Sequence, residues 1–187
     1  MEIISTPLPG LMIIEPKVFE DQRGYFFESY NEQRMKEQGI DIRWVQDNQS
    51  KSGFGVLRGL HYQLDPWAQT KLVRVLEGEI LDVAVDLRKG SPTYKKWYGI
   101  RLSGENKKQL LVPAGFAHGF SVLSETATVF YKCDQFYNPS CERGILYDDC
   151  ELGIDWGLQP GTELLSPKDR VLPLMKNAEN TFRYQDV

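Results

Sequence analysis

Among side chains, histidine is the one whose ordinary titration falls near neutral pH, and the 187-residue chain contains only two. His61 sits in Val56-Leu57-Arg58-Gly59-Leu60-His61-Tyr62-Gln63, and His118 in Pro113-Ala114-Gly115-Phe116-Ala117-His118. A neutral imidazole acting as a general base needs three companions: a proton donor, a group that steadies developing negative charge, and an anchor for the substrate. Lys71 opens a strand shortly after His61, where its ammonium can face an oxyanion. Tyr131 shares a strand face with Val129 and Cys133, where a phenol can return a proton. Arg23 precedes Gly24 and Arg58 precedes Gly59. Both are fork-shaped cations suited to diphosphate oxygens, and Gly59 offers a backbone that a phosphate can approach closely. Neither a Walker loop nor G-x-G-x-x-G occurs, which excludes the usual nucleotide cradles.

The elements that must position these groups are mostly strands. Ile80–Leu87 alternates, with Leu81, Val83, Val85 and Leu87 on one face and Asp82, Ala84 and Asp86 on the other. Lys71–Leu76 precedes it through Glu77-Gly78, a spacing that predicts a tight hairpin. On strand alternation, Leu57, Gly59 and His61 share one face, while Arg58, Leu60 and Tyr62 share the other. Further strands are expected at Leu11–Glu15, Tyr25–Tyr30, Val56–Arg58, Trp97–Leu102, Gln109–Val112, Gly119–Leu123 and Thr126–Phe136, with His118 in the turn before the sixth of these. One short helix is expected, capped by Asn31, running Glu32–Gln38 and stopped by Gly39. The last thirty residues, with Pro160, Pro167 and Pro173, read as an irregular tail. Many short strands and little helix predict an all-β sandwich or barrel, in a single domain spanning residues 1–187.

Composition narrows the partners. Lys and Arg number 22 against 26 Asp and Glu, for a formal net charge of -4, which argues against bulk electrostatic binding of nucleic acid or anionic membrane. No apolar run approaches the ~20 residues of a bilayer span, and the start MEIISTPLPG lacks the pattern of a secretory signal. Cys133, Cys141 and Cys150 are odd in number and form no C-x-x-C pair. They are expected as reduced, partly buried thiols in a cytoplasmic protein.

The segment Pro113-x-Gly115-x-x-His118 resembles the second motif of cupins, double-stranded β-helix (jelly-roll) barrels that often hold a metal with three histidines and a glutamate. The first cupin motif supplies His-x-His, where this chain has His61-Tyr62-Gln63. Two histidines are too few for the usual site, so a cupin-like barrel without metal is expected.

Several motifs in order resemble one family. They are Phe19-Glu20-Asp21-Gln22-Arg23-Gly24-Tyr25-Phe26-Phe27-Glu28, Gln46-Asp47-Asn48-Gln49-Ser50, Val56–Gln63, Val83–Arg88 followed by Ser91-Pro92-Thr93-Tyr94, Val112–Phe120, Phe136-Tyr137-Asn138-Pro139 with Glu142, and Ser166-Pro167-Lys168-Asp169. Their order is similar to that of the dTDP-4-dehydrorhamnose 3,5-epimerases of nucleotide-sugar biosynthesis. The resemblance implies a homodimer without metal or organic cofactor, acting on dTDP-4-dehydro-6-deoxy-D-glucose. It implies His61 as base, Asp169 as the carboxylate that orients it, Lys71 as the enolate stabiliser and Tyr131 as the acid. Arg23, Arg58 and Lys168 fall on anion-binding positions. Glu28, Gln46, Asp47, Asn48, His118 and Glu142 fall on other ligand contacts, and Phe26 and Tyr137 on positions suited to stacking against thymine. An N-terminal strand of one subunit is expected to complete its neighbour's pocket. The alternatives are a single-centre epimerase or 3,4-ketoisomerase on the same keto sugar and, from a different class, a non-catalytic or metal-dependent cupin.

Overall fold

The computed structural model describes residues 1–185. Its strands are β1 (Glu2–Ser5), β2 (Met12–Glu15), β3 (Val18–Asp21), β4 (Gly24–Phe27), β5 (Gln46–Gly53), β6 (Leu57–Gln63), β7 (Lys71–Glu77), β8 (Glu79–Asp86), β9 (Trp97–Ser103), β10 (Gln109–Val112), β11 (Phe116–Val122), β12 (Thr126–Cys133) and β13 (Glu142–Gly144). A six-stranded sheet in the order β1-β2-β10-β7-β12-β5 faces a five-stranded sheet in the order β13-β6-β11-β8-β9. This is the all-β barrel that the pattern predicts, in the jelly-roll form that the cupin resemblance implies. Strands β3 and β4 pair only with each other and form a separate arm.

Burial divides into three layers. Between the sheets, Val73, Val75, Ile80, Ala84, Leu102, Leu110, Phe120, Val122 and Val129 form the barrel interior. Outside the five-stranded sheet, Leu57, Leu60, Val83, Val85 and Leu87 pack under the tail residues Ile145, Leu152, Trp156 and Met175. Outside the six-stranded sheet, Ile14, Leu72 and Leu111 meet Met35 of the helix α1 (Glu32–Glu37). The helix begins where expected, since the Asn31 side chain accepts a hydrogen bond from Arg34 N at 3.1 Å. The tail is irregular, carrying two single 3-10 turns at Asp169–Val171 and Met175–Asn177.

Three expectations are corrected. Strands β7 and β8 do not form a hairpin: β7 pairs with β10 and β12, whereas β8 pairs with β11 and β9. Gly78 instead carries the chain from one sheet to the other at φ +79°, and a Cβ there would lie 2.0 Å from Thr126 O. His118 lies within β11, which starts at Phe116, and is not in a preceding turn. Strict alternation also fails in β6. Its pairing with β11 runs His118 to His61 but Phe120 to Arg58, a slip of one residue that lets Arg58 and His61 line the same cavity. Gly59 at the slip is closed by β11, because a Cβ on it would lie 2.6 Å from Gly119 Cα. It is therefore a strand-crossing point on the side where a side chain would project.

Candidate active site

A cavity of 610 Å³ opens between the two sheets. Arg58, His61, Lys71, His118, Tyr131, Tyr137, Glu142, Lys168 and Asp169 all line it. His61 and His118 come from adjacent strands of the five-stranded sheet and are register partners. Lys71 and Tyr131 come from β7 and β12 of the facing sheet, each on the inward face that also carries Val73 or Val129. Each sheet therefore contributes some of the residues expected to transfer protons.

Asp169 reaches His61 from the tail. Its Oδ1 lies 2.8 Å from His61 Nε2, and its Oδ2 accepts from Ser166 Oγ at 2.9 Å. Burial pushes the Asp169 carboxyl up, but the hydrogen bond and charge of His61, with Ser166 and Lys168, outweigh it and hold it below the ordinary value. With Nε2 taken by the carboxylate, Nδ1 is the ring nitrogen left buried and without a hydrogen-bond partner. Glu142 Oε1 is 3.9 Å from it.

Glu142 ties the rim together. Its Oε2 accepts from Tyr137 Oη at 2.7 Å and pairs with Lys168 Nζ. Burial raises this carboxyl, yet Lys168, Tyr137 and the nearby His61 bring it below its usual value. Gln46 Oε1 accepts from Tyr137 N at 3.0 Å, and Gln63 Oε1 accepts from Asn138 N at 2.7 Å, so β5 and β6 both brace the loop that carries the aromatic ring.

On the opposite wall, burial pushes the Lys71 ammonium down, against the charges of Cys133, Asp82 and Glu142, which favour it. Its Nζ is 6.0 Å from the Tyr131 ring centroid. Burial pushes the Tyr131 phenol up, with Cys133 and Glu142 adding and Arg58 opposing. Arg58 reaches across to β5, where Nε and Nη2 both donate to Ser52 Oγ at 3.2 Å. The arrangement places an imidazole, an amine and a phenol around one sugar-sized space, with the Arg58 and Lys168 side chains also on its lining.

The remaining expected residues lie outside this cavity. Asn48, the register partner of Tyr131, donates to Cys133 Sγ at 3.6 Å, and Asp47 pairs with Lys132 at 3.0 Å. Arg23 and Phe26 are on the β3–β4 arm, where Arg23 pairs with Asp21 and Phe26 is 70% exposed. Glu28 pairs with Arg34 at 3.1 Å. Sequence reasoning missed Asp82, which is fully buried and lies 2.7 Å from His118 Nε2 through Oδ1. A charged residue inside an apolar alternating strand was the available signal. The cysteines Cys133, Cys141 and Cys150 are all unpaired, and Cys150 is exposed, where partial burial was expected.

Comparison with known proteins bears on the family and the fold. The family model described as dTDP-4-dehydrorhamnose 3,5-epimerase matches residues 5–177. A protein of that name from Shigella flexneri is 55% identical over 170 residues, covering 90% of this chain and 93% of the relative. The crystal structure of a dTDP-6-deoxy-D-glucose-3,5-epimerase from Legionella pneumophila, in complex with dTDP-4-keto-L-rhamnose, superposes with a TM-score of 0.94 at 51% identity, covering 99% of both chains. A 3'-monoepimerase from Streptomyces bikiniensis in complex with dTDP-quinovose is more distant, with a TM-score of 0.86 and 31% identity over 92% of this chain and 87% of the other. The fold, the paired sheets that frame the cavity and the match along nearly the whole sequence lead to one conclusion: the chain belongs to the dTDP-4-dehydrorhamnose 3,5-epimerase family.

Proposed function

We propose that the chain, as one domain, inverts C3 and C5 of dTDP-4-dehydro-6-deoxy-D-glucose to give dTDP-4-dehydro-L-rhamnose. The C4 ketone acidifies the hydrogens on both neighbouring carbons. His61 removes one through Nδ1, the nitrogen that Asp169 leaves free, and the electron pair moves onto O4 as an enolate. Lys71 steadies that oxygen. Tyr131 delivers a proton to the opposite face of the carbon and inverts it, and the cycle repeats at the second centre. The observation that carries this reading is the origin of His61 and Tyr131 on facing sheets, with Lys71 beside Tyr131. Such a pair addresses a pyranose between them from two sides.

Arg58 and Lys168 bind the diphosphate, and Tyr137 stacks on thymine at the rim, with Gln46, Asn48, His118 and Glu142 contacting the rest of the ligand. The working form is a homodimer in which the β3–β4 arm brings Arg23, Phe26 and Glu28 to the partner's pocket. Support comes from the arm's exposed aromatics, with Phe19, Tyr25 and Phe26 each more than half exposed. The protein is assigned to the cytoplasm on its unpaired thiols. Among the described residues, no helix is long and apolar enough to cross a membrane.

The test is incubation of the keto sugar nucleotide in D₂O with NMR of the product. Deuterium at both C3 and C5 with the L-lyxo configuration is expected. Deuterium at one carbon alone makes the chain a single-centre epimerase, and exchange at neither carbon by folded protein rejects the reading. Light scattering should give a dimer, and Arg23→Ala should weaken dTDP binding while leaving the dimer intact.

A further inference from the structure

One inversion leaves the two catalysts of the proposed reaction in the wrong state for the next. On a ring of D-gluco configuration the hydrogens of C3 and C5 are both axial and lie on the same face, so one base removes both and one acid restores both. After the first centre has inverted, His61 is an imidazolium and Tyr131 a phenolate, and each must return to its starting form before the second. Nδ1 of His61 is buried and has no hydrogen-bond partner, and a sugar lying against it covers it further. Two carboxylates stand within ion-pair distance of the ring among the described residues. Asp169 Oδ1 is 2.8 Å from Nε2, and Glu142 Oε1 is 3.9 Å from Nδ1. Glu142 comes from β13, which pairs with β6 so that Gly144 is opposite His61; it therefore stands beside the histidine in the same sheet and not across the cavity. Its other oxygen reaches the rim. Oε2 accepts from Tyr137 Oη at 2.7 Å and pairs with Lys168 Nζ, and both of those side chains are about half exposed. One carboxylate thus joins a buried ring nitrogen to groups that face solvent.

We propose that Glu142 is the proton relay that resets His61 between the two inversions, acting while the sugar stays bound. The inference rests on the proposed reaction and adds to it the step that lets one base work twice. The Nδ1–H bond breaks with its electron pair staying on nitrogen, and the proton forms an O–H bond to Glu142 Oε1. The carboxylic acid so formed gives the proton to solvent water at the mouth. The Tyr131 phenolate takes a proton from solvent water, so the protein returns to its starting state with no net change. The 3.9 Å gap is bridged by one water or closed by a small turn of the carboxylate towards the charged ring. Burial raises the Glu142 carboxyl, but Lys168, Tyr137 and His61 hold it below its usual value, which keeps it an acceptor and makes its acid form short-lived. Asp169 cannot serve as the exit, because its partner Nε2 must keep its own proton for Nδ1 to be basic.

The test is Glu142→Gln in D₂O under single turnover, with saturating enzyme in excess so that weakened binding does not enter. With inversion of both centres by the wild-type protein established first, deuterium should enter the first carbon within about threefold of the wild-type rate, while the second inversion slows about 10- to 100-fold and singly inverted sugar accumulates in the NMR spectrum. The loss is smaller than that of an acid or base itself, because water bypasses the relay slowly. Glu142→Ala should behave alike, and added formate, but not chloride, should restore the second inversion; a side chain needed only to hold the rim shows no such rescue. Equal slowing at both carbons, or a wild-type ratio of singly to doubly inverted sugar in the folded variant, overturns the proposal. A second measurement needs no sugar. In protein labelled with ¹⁵N-histidine, at a pH where His61 is protonated and Glu142 still ionised, exchange of the Nδ1 proton with water should slow at least about fivefold on Glu142→Gln. With two histidines in the chain, the remaining ring signals belong to His118. An unchanged exchange rate overturns the relay. If the wild-type protein labels one carbon or neither, the double inversion is rejected, while ring-proton exchange still decides the link between Glu142 and His61.

Discussion

Replacing Asp169 with asparagine tests the tail's part in proton transfer. At the 2.8 Å separation from His61 Nε2, the bare attraction between carboxylate and imidazolium is about 6 kcal/mol at an effective dielectric of ~20. Desolvation takes back most of it, and a charge-assisted hydrogen bond nets about 1.5–3 kcal/mol, or about 10- to 150-fold in rate. Asparagine brings a second effect. Its amide can donate to Nε2, which moves the ring proton onto Nδ1 and blocks the nitrogen left open for the substrate. Loss of the base altogether costs about 10²–10⁴-fold. The expected outcome is therefore a kcat at least about 10²-fold lower, from lost charge and inverted tautomer combined, with KM changed less than about threefold because the ground-state ligand does not use this pair. The assay is deuterium wash-in at C3 and C5, followed by NMR, with near-UV circular dichroism to establish folding. A folded Asp169→Asn protein within about threefold of wild-type exchange refutes the reasoning.

Lys71→Ala should lower kcat by about 10²–10³-fold with little effect on KM, since the ammonium acts on charge present only in the enolate; steady-state kinetics separate the two. Tyr131→Phe should keep deuterium exchange at the carbon that His61 deprotonates while losing inverted product, seen as labelled, unepimerised sugar by NMR. Asp86→Asn should cost about 3 kcal/mol in denaturant unfolding, because it leaves the partly buried Arg88 guanidinium without its fully buried carboxylate at 2.8 Å. Burial raises the Asp86 carboxyl, but Arg88, Ser91 and Thr93 outweigh it and hold it below the ordinary 3.8. A depressed folded value means that this stabilisation is complete above about pH 4 and drains as pH falls through the folded value. The gap between wild type and Asp86→Asn should therefore narrow in melting curves taken towards pH 3.

The strands with clear alternation were legible because one face had to be apolar, and Asn31 announced the helix start through its cap. Strand β5 was not, since Gln46–Gly53 contains no large apolar residue; it is held as a sheet edge by pairing with β12. The hairpin through Gly78 misled because a two-strand spacing cannot say which sheet each strand joins. Only barrel closure decides that. For the site, His61, Lys71 and Tyr131 stood out by residue type and strand face, whereas Asp169 became visible through the resemblance alone, being far along the chain. Asp82 was hidden by the convention that the polar face of an alternating strand meets water. In β8 both faces are covered, one by the tail and one by the opposite sheet, so its carboxylate ends in the interior.

The carboxylate proposed to orient His61 hangs from an irregular segment that belongs to neither sheet and is fastened by anchors such as Asp149 Oδ2 accepting from Met175 N at 2.6 Å, Leu146 N donating to Pro173 O and Leu57 N donating to Leu164 O. Segments of this kind detach at lower free energy than sheets do. Under heat or protease the catalyst should thus fail before its scaffold does, leaving an intact but idle shell, and the working lifetime of the protein is set by how long that strap stays fastened.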